Sequence, residues 1–244
     1  MQNRIFSFDS PKAIKADKYG WINGIHYMAP HDVAGAGNLC PRATDGCRAL
    51  CLGLWSGQAG MVSGNSEKPQ GNSVRKSRVQ KARRFMRDRA NYLKDVVRSI
   101  ELAELAAKRK GKKLCVRLNG STDIAWESVK YDGQSIIDRF SHVQFVDYTK
   151  IASRFRRPLP ANLHLTLSRS ESNEAECIEA LTNGVNVAVV FATAKPKQWH
   201  GFDVIDGDLH DLRHLDPRGF RGVVVGLSPK GRKAKKDQSG FVVR

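Results

Sequence analysis

The chain has 244 residues, of which 41% are hydrophobic and 27% are charged. These proportions are typical of a soluble globular protein and exclude a chain that is wholly disordered, collagenous or coiled-coil. No run approaches the ~20 apolar residues of a membrane-spanning helix, and the opening MQNRIFSFDSPK lacks the apolar core of a signal peptide. We therefore expect a cytoplasmic protein with no membrane partner.

The net charge of +17 is concentrated in two parts of the chain. Residues 75–113 carry a balance of +11 and residues 229–244 carry +5, so the remainder is nearly neutral. Positive charge distributed in this way favours a polyanionic partner, with DNA or tRNA first. The alternative is a solvated helix face together with a flexible basic tail over residues 229–244.

The first half of the chain predicts one strand, one loop and one helix. Residues 21–28 form an apolar run of strand length that Pro30 closes. A cysteine loop follows at residues 38–53, and glycines and polar residues predict a long irregular segment over residues 52–73. Apolar residues then recur at helical spacing over residues 74–110, with Arg and Lys between them, which predicts a long, basic, amphipathic helix.

Six further apolar runs follow, each ending in polar or small residues. They span residues 114–118, 143–146, 163–167, 185–191, 202–205 and 223–225. Apolar strands that alternate with helices indicate a parallel α/β sheet. We expect one domain over residues 1–244, built as a full or partial TIM-barrel-like parallel barrel. Because the connections after residue 185 are short, the last strands are expected to be antiparallel or to lack complete helices.

Cys40, Cys47 and Cys51 lie within twelve residues of the cysteine loop. In a reducing compartment, clustered thiols more often bind a metal or do chemistry than form disulfides. A structural zinc site closes with four ligands, so three thiols either borrow His26 or His31 or leave one position open. An iron–sulfur cluster with one open iron is an example of the second case. Three unconnected buried thiols are the alternative.

Several motifs resemble those of a family of small phage and mobile-element proteins that carries a gene-product label. They are NLCPRATDGCRALCLG, VRLNGSTDIAW, FVDYTK, LTLSRS, DGDLHDLRHLDP and VVVGLSPKG. That family in turn resembles the barrels of radical S-adenosylmethionine enzymes, in which a three-cysteine loop follows a strand. The cysteines are spaced more widely here, with six and then three intervening residues. The resemblance covers most of residues 20–244 and implies a phage-encoded protein acting in the host cytoplasm.

The resemblance also implies site residues. Cys40, Cys47 and Cys51 would hold an iron–sulfur cluster, with zinc as the alternative metal, and S-adenosylmethionine would be the cofactor at the open iron. The expected cofactor-binding residues at the strand ends are Asn119, Ser121, Asp123, Ser168 and Arg169. An N-cap turn that opens a helix after residue 123 is the alternative.

Charged side chains at the strand ends are candidates for acid–base chemistry. The expected catalytic residues are Asp123, Asp147, Lys150, Asp206 and Asp208. With Asp211, the last two form a carboxylate cluster that could also hold a divalent cation. Ordinary polar strand ends and an Asp-Gly-Asp turn are the alternatives.

The start of the long helix supplies the expected nucleic-acid contacts. They are Arg75, Lys76, Arg78, Lys81, Arg83, Arg84 and Arg87. Cations at this density suit phosphate contacts, which position a nucleic acid without reading its sequence.

Together these features predict a nucleic-acid base-modifying enzyme with a three-cysteine metal centre, in its most concrete form a radical S-adenosylmethionine enzyme. A first alternative is a DNA or tRNA guanine transglycosylase-like enzyme with structural zinc, in which Asp123 and Asp206 do the chemistry. A second is a non-catalytic protein in which the metal stabilises a nucleic-acid-binding surface.

Overall fold

The computed structural model describes residues 5–60 and 72–244, with Lys12 and Gln58 described by their backbone. The strands are β1 (Phe6–Ser7), β2 (Trp21–His26), β3 (Lys113–Arg117), β4 (Lys130–Tyr131), β5 (Gln134–Ser135), β6 (Gln144–Thr149), β7 (Leu163–Ser168), β8 (Val187–Val190), β9 (Gln198–Trp199), β10 (Phe202–Asp206) and β11 (Val224–Leu227). The α-helices are α1 (Pro11–Ala16), α2 (Asp45–Ala49), α3 (Leu52–Trp55), α4 (Gly57–Gly60), α5 (Ser73–Arg87), α6 (Arg89–Arg109), α7 (Ile136–Arg139), α8 (Glu174–Thr182) and α9 (Gly231–Lys235). Residues 61–71, part of the predicted irregular segment, lie outside the described residues.

The main sheet has the strand order β1-β2-β3-β6-β7-β8-β11-β10-β9. Its seven inner strands are parallel, and they are the seven apolar runs of the sequence, so the predicted α/β fold with a parallel sheet is confirmed. Of the two alternatives expected for the last strands, the second holds, because no α-helix is described between β8 and β11. These strands are not antiparallel, since β11 lies between β8 and β10 and pairs in parallel with both.

One face of the sheet packs against helices. Val116 of β3 and Phe145 of β6 belong to the same buried cluster as Val96 and Ile100 of α6. A second cluster joins β7, β8 and β11 to α8. Burial of such side chains contributes ~1.5–3 kcal/mol each, which makes these apolar faces the main stabilising feature of the fold.

Chain segments cover the opposite face of the sheet. Cys115 of β3 and Val146 of β6 pack against Ala16 of α1 and Leu212 in the connection after β10. The sheet ends at β1 and β9, two-residue strands that pair antiparallel with their neighbours. A barrel closes only when its edge strands pair with each other. The predicted TIM-like barrel is therefore corrected to an open sheet over the described residues.

The predicted helix over residues 74–110 consists of two helices that meet at Asp88. This residue has φ −137° and ψ 55°, outside the helical region. Its carbonyl accepts the first hydrogen bond of α6 from the N–H of Tyr92, at 3.0 Å. Asp favours such starting positions because its short side chain competes with helical backbone hydrogen bonds.

Residues 229–244, predicted as a flexible tail, pack against the sheet. Val243 forms a parallel bridge with Phe191, next to the end of β8. Asp237 is buried, and its carboxylate accepts hydrogen bonds from the N–H groups of Ser239 and Val242 at 3.0 and 2.9 Å. The prediction of a flexible tail is corrected because these contacts hold the segment in place.

In residues 5–60 and 72–244, none of the helices combines the length and the apolar character needed to span a bilayer.

Candidate functional site

A cavity of about 720 Å³ opens at the carboxyl edge of the parallel strands. The ends of β3, β6, β7, β8 and β11 contribute to its wall, together with the cysteine loop, the first half of α5 and the C-terminal segment. Parallel α/β sheets bind ligands at this edge, because the loops that follow the strands converge there.

Cys40, Cys47 and Cys51 all line this cavity. The Sγ of Cys40 accepts a hydrogen bond from the backbone N–H of His31 at 3.2 Å and lies 3.8 Å from the carbonyl oxygen of Ser121. Cys47 is on α2, which Thr44 caps, and Cys51 precedes α3. The loop therefore presents its three thiols to one space.

Burial dominates the electrostatics of two of these thiols. It raises the pKa of Cys40 to about 12 and that of Cys51 to about 11. Within the described part of the chain, no three His, Cys, Asp or Glu side chains lie close enough together to hold a single metal ion.

The two histidines considered as a fourth ligand have other partners. The ring nitrogens of His26 are 2.9 Å from the Leu118 carbonyl oxygen and 2.7 Å from the Tyr92 hydroxyl, and burial lowers the pKa of this histidine to about 3. His31 lines the cavity, but its Nδ1 lies 2.5 Å from Asp32.

Asn119 holds the loop that follows β3. Its Oδ1 accepts hydrogen bonds from Thr122, Ile124 and Trp126 at 2.8–3.2 Å, and its Nδ2 donates to the Ile124 carbonyl and to Asp147, both at 2.9 Å. The Asn119 side chain therefore makes its hydrogen bonds within the protein, and these bonds hold residues 119–126 in place.

Ser121 and Asp123, from the same loop, line the cavity. Asp123 accepts a hydrogen bond from the Lys150 N–H at 2.8 Å and lies 3.5 Å from Arg154. Burial raises the pKa of this carboxyl. The loop therefore places the Ser121 carbonyl oxygen and the Asp123 carboxyl beside Cys40, whose pKa Asp123 helps to raise. The Ser121 hydroxyl donates to the Met28 carbonyl at 2.6 Å.

Lys150 and Ser168 are brought together on the cavity wall. The Lys150 ammonium is 3.2 Å from the Ser168 hydroxyl and 5.3 Å from the centre of the Phe241 ring. Arg169, expected beside them, does not line the cavity; it pairs with Glu174 at 2.8 Å and donates to the Gly240 and Phe241 carbonyls. It thereby anchors the C-terminal segment.

Three predicted catalytic carboxylates do not line the cavity. Asp147 lies beneath the Asn119 loop, where burial raises its pKa to about 7 although Arg117 opposes this shift. Asp206 and Asp208 pair with Lys195, and Asp208 also accepts a hydrogen bond from Lys230 at 3.0 Å. Hydrogen bonds from these lysines lower the pKa values of Asp206 and Asp208. The two carboxylates are therefore charged and belong to a turn outside the cavity.

A buried network on the cavity wall was not predicted. Arg117 of β3 donates to Asp211 at 2.8 Å, and the Tyr148 hydroxyl of β6 donates to the other Asp211 oxygen at 3.0 Å. Asp211 raises the pKa of Arg117, which stays charged. The one sequence feature that could have indicated this network is Arg117, a charged residue near the end of the apolar run 114–118.

Most of the seven cations predicted to contact nucleic acid make contacts within the protein. Arg75 is buried and donates to the Ala59 and Leu54 carbonyls, and Lys81 is buried beside the Ile5 carbonyl. The remaining contacts are Arg78 with Gly53, Arg83 with Ala34 and Arg84 with Asp95. Lys76 and Arg87 are exposed.

The cavity wall carries more positive than negative charge. Its cations are Arg48, Arg78, Lys81, Arg117, Lys150 and Lys230. Its carboxylates are Asp9, Asp123 and Asp211. This excess favours a ligand with phosphate or carboxylate groups.

The fold and this site define an α/β protein with a basic, thiol-lined cavity at the carboxyl edge of a parallel sheet. The chain belongs to the gene product 88 family, whose model matches residues 5–244. The predicted membership of a gene-product family is thus confirmed, whereas the relation to radical S-adenosylmethionine enzymes stays a prediction. No curated protein and no solved structure matches the chain.

Proposed function

We propose that this protein is a nucleic-acid base-modifying enzyme whose reaction takes place in the thiol-lined cavity, with an iron–sulfur cluster on Cys40, Cys47 and Cys51 and S-adenosylmethionine as cofactor. One observation carries the proposal: the three thiols line a single cavity together with the ends of β3, β6 and β7. Ligands of parallel α/β sheets bind at this edge, so a metal centre there would adjoin the substrate.

The donor set suits a cluster. Each thiolate of a cluster binds a different iron, so the sulfurs stand farther apart than the ligands of one ion. Three thiols that line one cavity would supply the three protein ligands of a cluster with one open iron. Burial disfavours free thiolates at Cys40 and Cys51, and a cationic cluster would offset this cost because metal-bound thiols are deprotonated. When bound, the cluster would supply an electron to S-adenosylmethionine at the iron that lacks a protein ligand.

The strand-end residues would bind and orient the cofactor. Ser121 and Asp123 line the cavity near Cys40, where the Ser121 carbonyl oxygen and the Asp123 carboxylate suit an ammonium group. The Lys150 ammonium, supported by Ser168, is placed to bind a carboxylate or a phosphate. The cationic excess of the wall supports a substrate that carries phosphate.

The experiment is a turnover assay with protein purified and reduced without oxygen. S-adenosylmethionine cleavage is measured first, and nucleosides from treated DNA and tRNA are then analysed by mass spectrometry. We expect cleavage by the native chain, loss of cleavage in Cys51→Ser, and retention in Cys177→Ser, whose thiol is buried away from the cavity. Iron-loaded protein that leaves the cofactor intact would contradict the proposal.

A base-exchange enzyme is a second candidate. The observation that favours it is the Asp123 carboxylate on the cavity wall, since such exchange uses a carboxylate nucleophile. This reaction needs no reductant. Incorporation of labelled guanine into DNA or tRNA under air, abolished by Asp123→Asn, would favour it over the iron–sulfur enzyme.

A further inference from the structure

Helix α9 borders the cavity. It follows β11 after three residues, and Lys230 and Ala234 line the cavity with Phe241 from the segment beyond. The charges of this helix therefore lie next to the cavity. The end of α6, which precedes β3, lies at the opposite, amino edge of the sheet.

The outer face of α9 is exposed and basic. Arg232, Lys233, Lys235 and Lys236 are exposed, whereas Ala234 is buried beneath them. Among the described residues, Arg232, Lys235 and Lys236 have no carboxylate within 4 Å. By contrast, five of the seven α5 cations contact carbonyls or a carboxylate.

The surrounding contacts hold α9 at a fixed position. Asp237 binds the backbone of the segment that follows the helix, and Arg169 holds the carbonyls of Gly240 and Phe241. The Lys233 ammonium lies 3.7 Å from the centre of the Trp55 ring, which joins α9 to α3. A fixed row of cations loses less conformational freedom on binding a polyanion than a free tail does.

We propose that α9 binds the phosphate backbone of a nucleic acid strand whose unpaired base enters the cavity. This inference rests on the proposed function in taking nucleic acid as the substrate, and it moves the phosphate-contacting surface from α5 to α9. A cavity of about 720 Å³ is of the size that takes a small ligand. A base inside a duplex cannot reach such a cavity without leaving its stack, so the strand is single or locally unpaired.

The test measures binding of a fluorescent single-stranded DNA, the matching RNA and the DNA duplex over a series of salt concentrations. The variant combines Arg232→Ala, Lys235→Ala and Lys236→Ala. The matched control removes three exposed cations near the end of α6, by Lys108→Ala, Arg109→Ala and Lys110→Ala.

We expect the native chain to bind a single strand more tightly than the duplex. Comparing its affinities for single-stranded DNA and for the matching RNA shows which of the two it binds more tightly. Loss of three phosphate contacts reduces the slope of log affinity against log salt by about 2 for a single strand. The α9 variant should show this reduction and bind at least about tenfold more weakly, whereas the control should keep the native slope. Equal losses in both variants, or an unchanged slope in the α9 variant, would overturn the inference.

The two proposals fail in different ways. Absence of binding to all three probes would overturn the α9 inference, while the iron content of the same protein still tests the cluster. Native binding with an unaffected α9 variant would overturn the docking surface alone. Retained cluster content and an unchanged melting temperature show that the α9 variant is folded.

Discussion

Replacement of Asn119 by alanine tests how the loop at the cavity is held. The Asn119 side chain is 1% exposed, and its partners Trp126 and Asp147 are also buried. The alanine variant removes the acceptor of the Trp126 Nε1–H, 3.2 Å away, and the Nδ2 donor to Asp147, 2.9 Å away. It also removes the acceptor of the buried Thr122 hydroxyl at 2.8 Å. Three buried polar groups are then left without these partners.

The expected loss of stability follows from these groups. A buried donor or acceptor without a partner costs about 1–3 kcal/mol. Asp147 keeps the hydrogen bond from the Asn119 N–H at 3.0 Å, so Trp126 and Thr122 are the two groups left without a partner. We therefore expect Asn119→Ala to lower the free energy of unfolding by roughly 2–6 kcal/mol. With an m-value of about 3 kcal/mol/M for a chain of this size, the urea midpoint should fall by roughly 0.7–2 M.

Urea unfolding followed by tryptophan fluorescence measures this loss, and Asn183→Ala is the control. Asn183 is exposed and makes its side-chain hydrogen bond within one helix turn, to the Glu179 carbonyl. We expect a change within about 0.5 kcal/mol there, as for most surface substitutions. Equal urea midpoints for the two variants would show that the hydrogen bonds of Asn119 add nothing to the stability of the fold.

Three further variants test other parts of the structure. Because burial raises the pKa of Asp147 from 3.8 to about 7, the folded protein keeps a proton that the unfolded chain releases. The free energy of unfolding should then fall as the pH rises from about 4 to about 7. In urea unfolding measured over this pH range, Asp147→Asn should make the fall smaller; an equal pH dependence in the native chain and the variant would contradict this. Gly120→Ala places a Cβ 2.6 Å from the His26 carbonyl oxygen and should lower the melting temperature by several degrees, whereas Gly219→Ala should not. Asp237→Ala should expose residues 238–244 to limited proteolysis, and native-like protection would argue against its anchoring role.

The parallel strands could be predicted because each is a short apolar run buried on both faces. The order of the strands in the sheet could not be predicted. β11 lies between β8 and β10, and the connection that places it there has no helical periodicity. The edge strands β1 and β9 have two residues each, too few for alternation to show. A sheet closes into a barrel only if its two edge strands pair, and here these strands are far apart in the sequence. The sequence pattern therefore does not show whether the sheet is open or closed.

The part of the candidate site that could be predicted is the part whose residues are close together in the sequence. Cys40, Cys47 and Cys51 lie within twelve residues, and the structure brings all three to one cavity. Arg117 and Asp211 are 94 residues apart, and their ion pair joins the end of β3 to the connection after β10, so no local pattern reveals it. The density of cations in α5 does not show which of them are exposed. Helical spacing places Arg75 on the buried face, where it donates to backbone carbonyls.

The iron and sulfide content of protein purified without oxygen, together with its visible spectrum, shows directly whether the three thiols hold an iron–sulfur cluster. We expect about four irons and four sulfides per chain, with the broad absorption of a thiolate-bound cluster. We also expect iron and sulfide to be lost when Cys40, Cys47 and Cys51 are replaced together by serine, and to be kept in Cys115→Ser, whose thiol is buried in the sheet. A colourless protein with one zinc, or iron that survives the triple replacement, would contradict the assignment of the three thiols to an iron–sulfur centre.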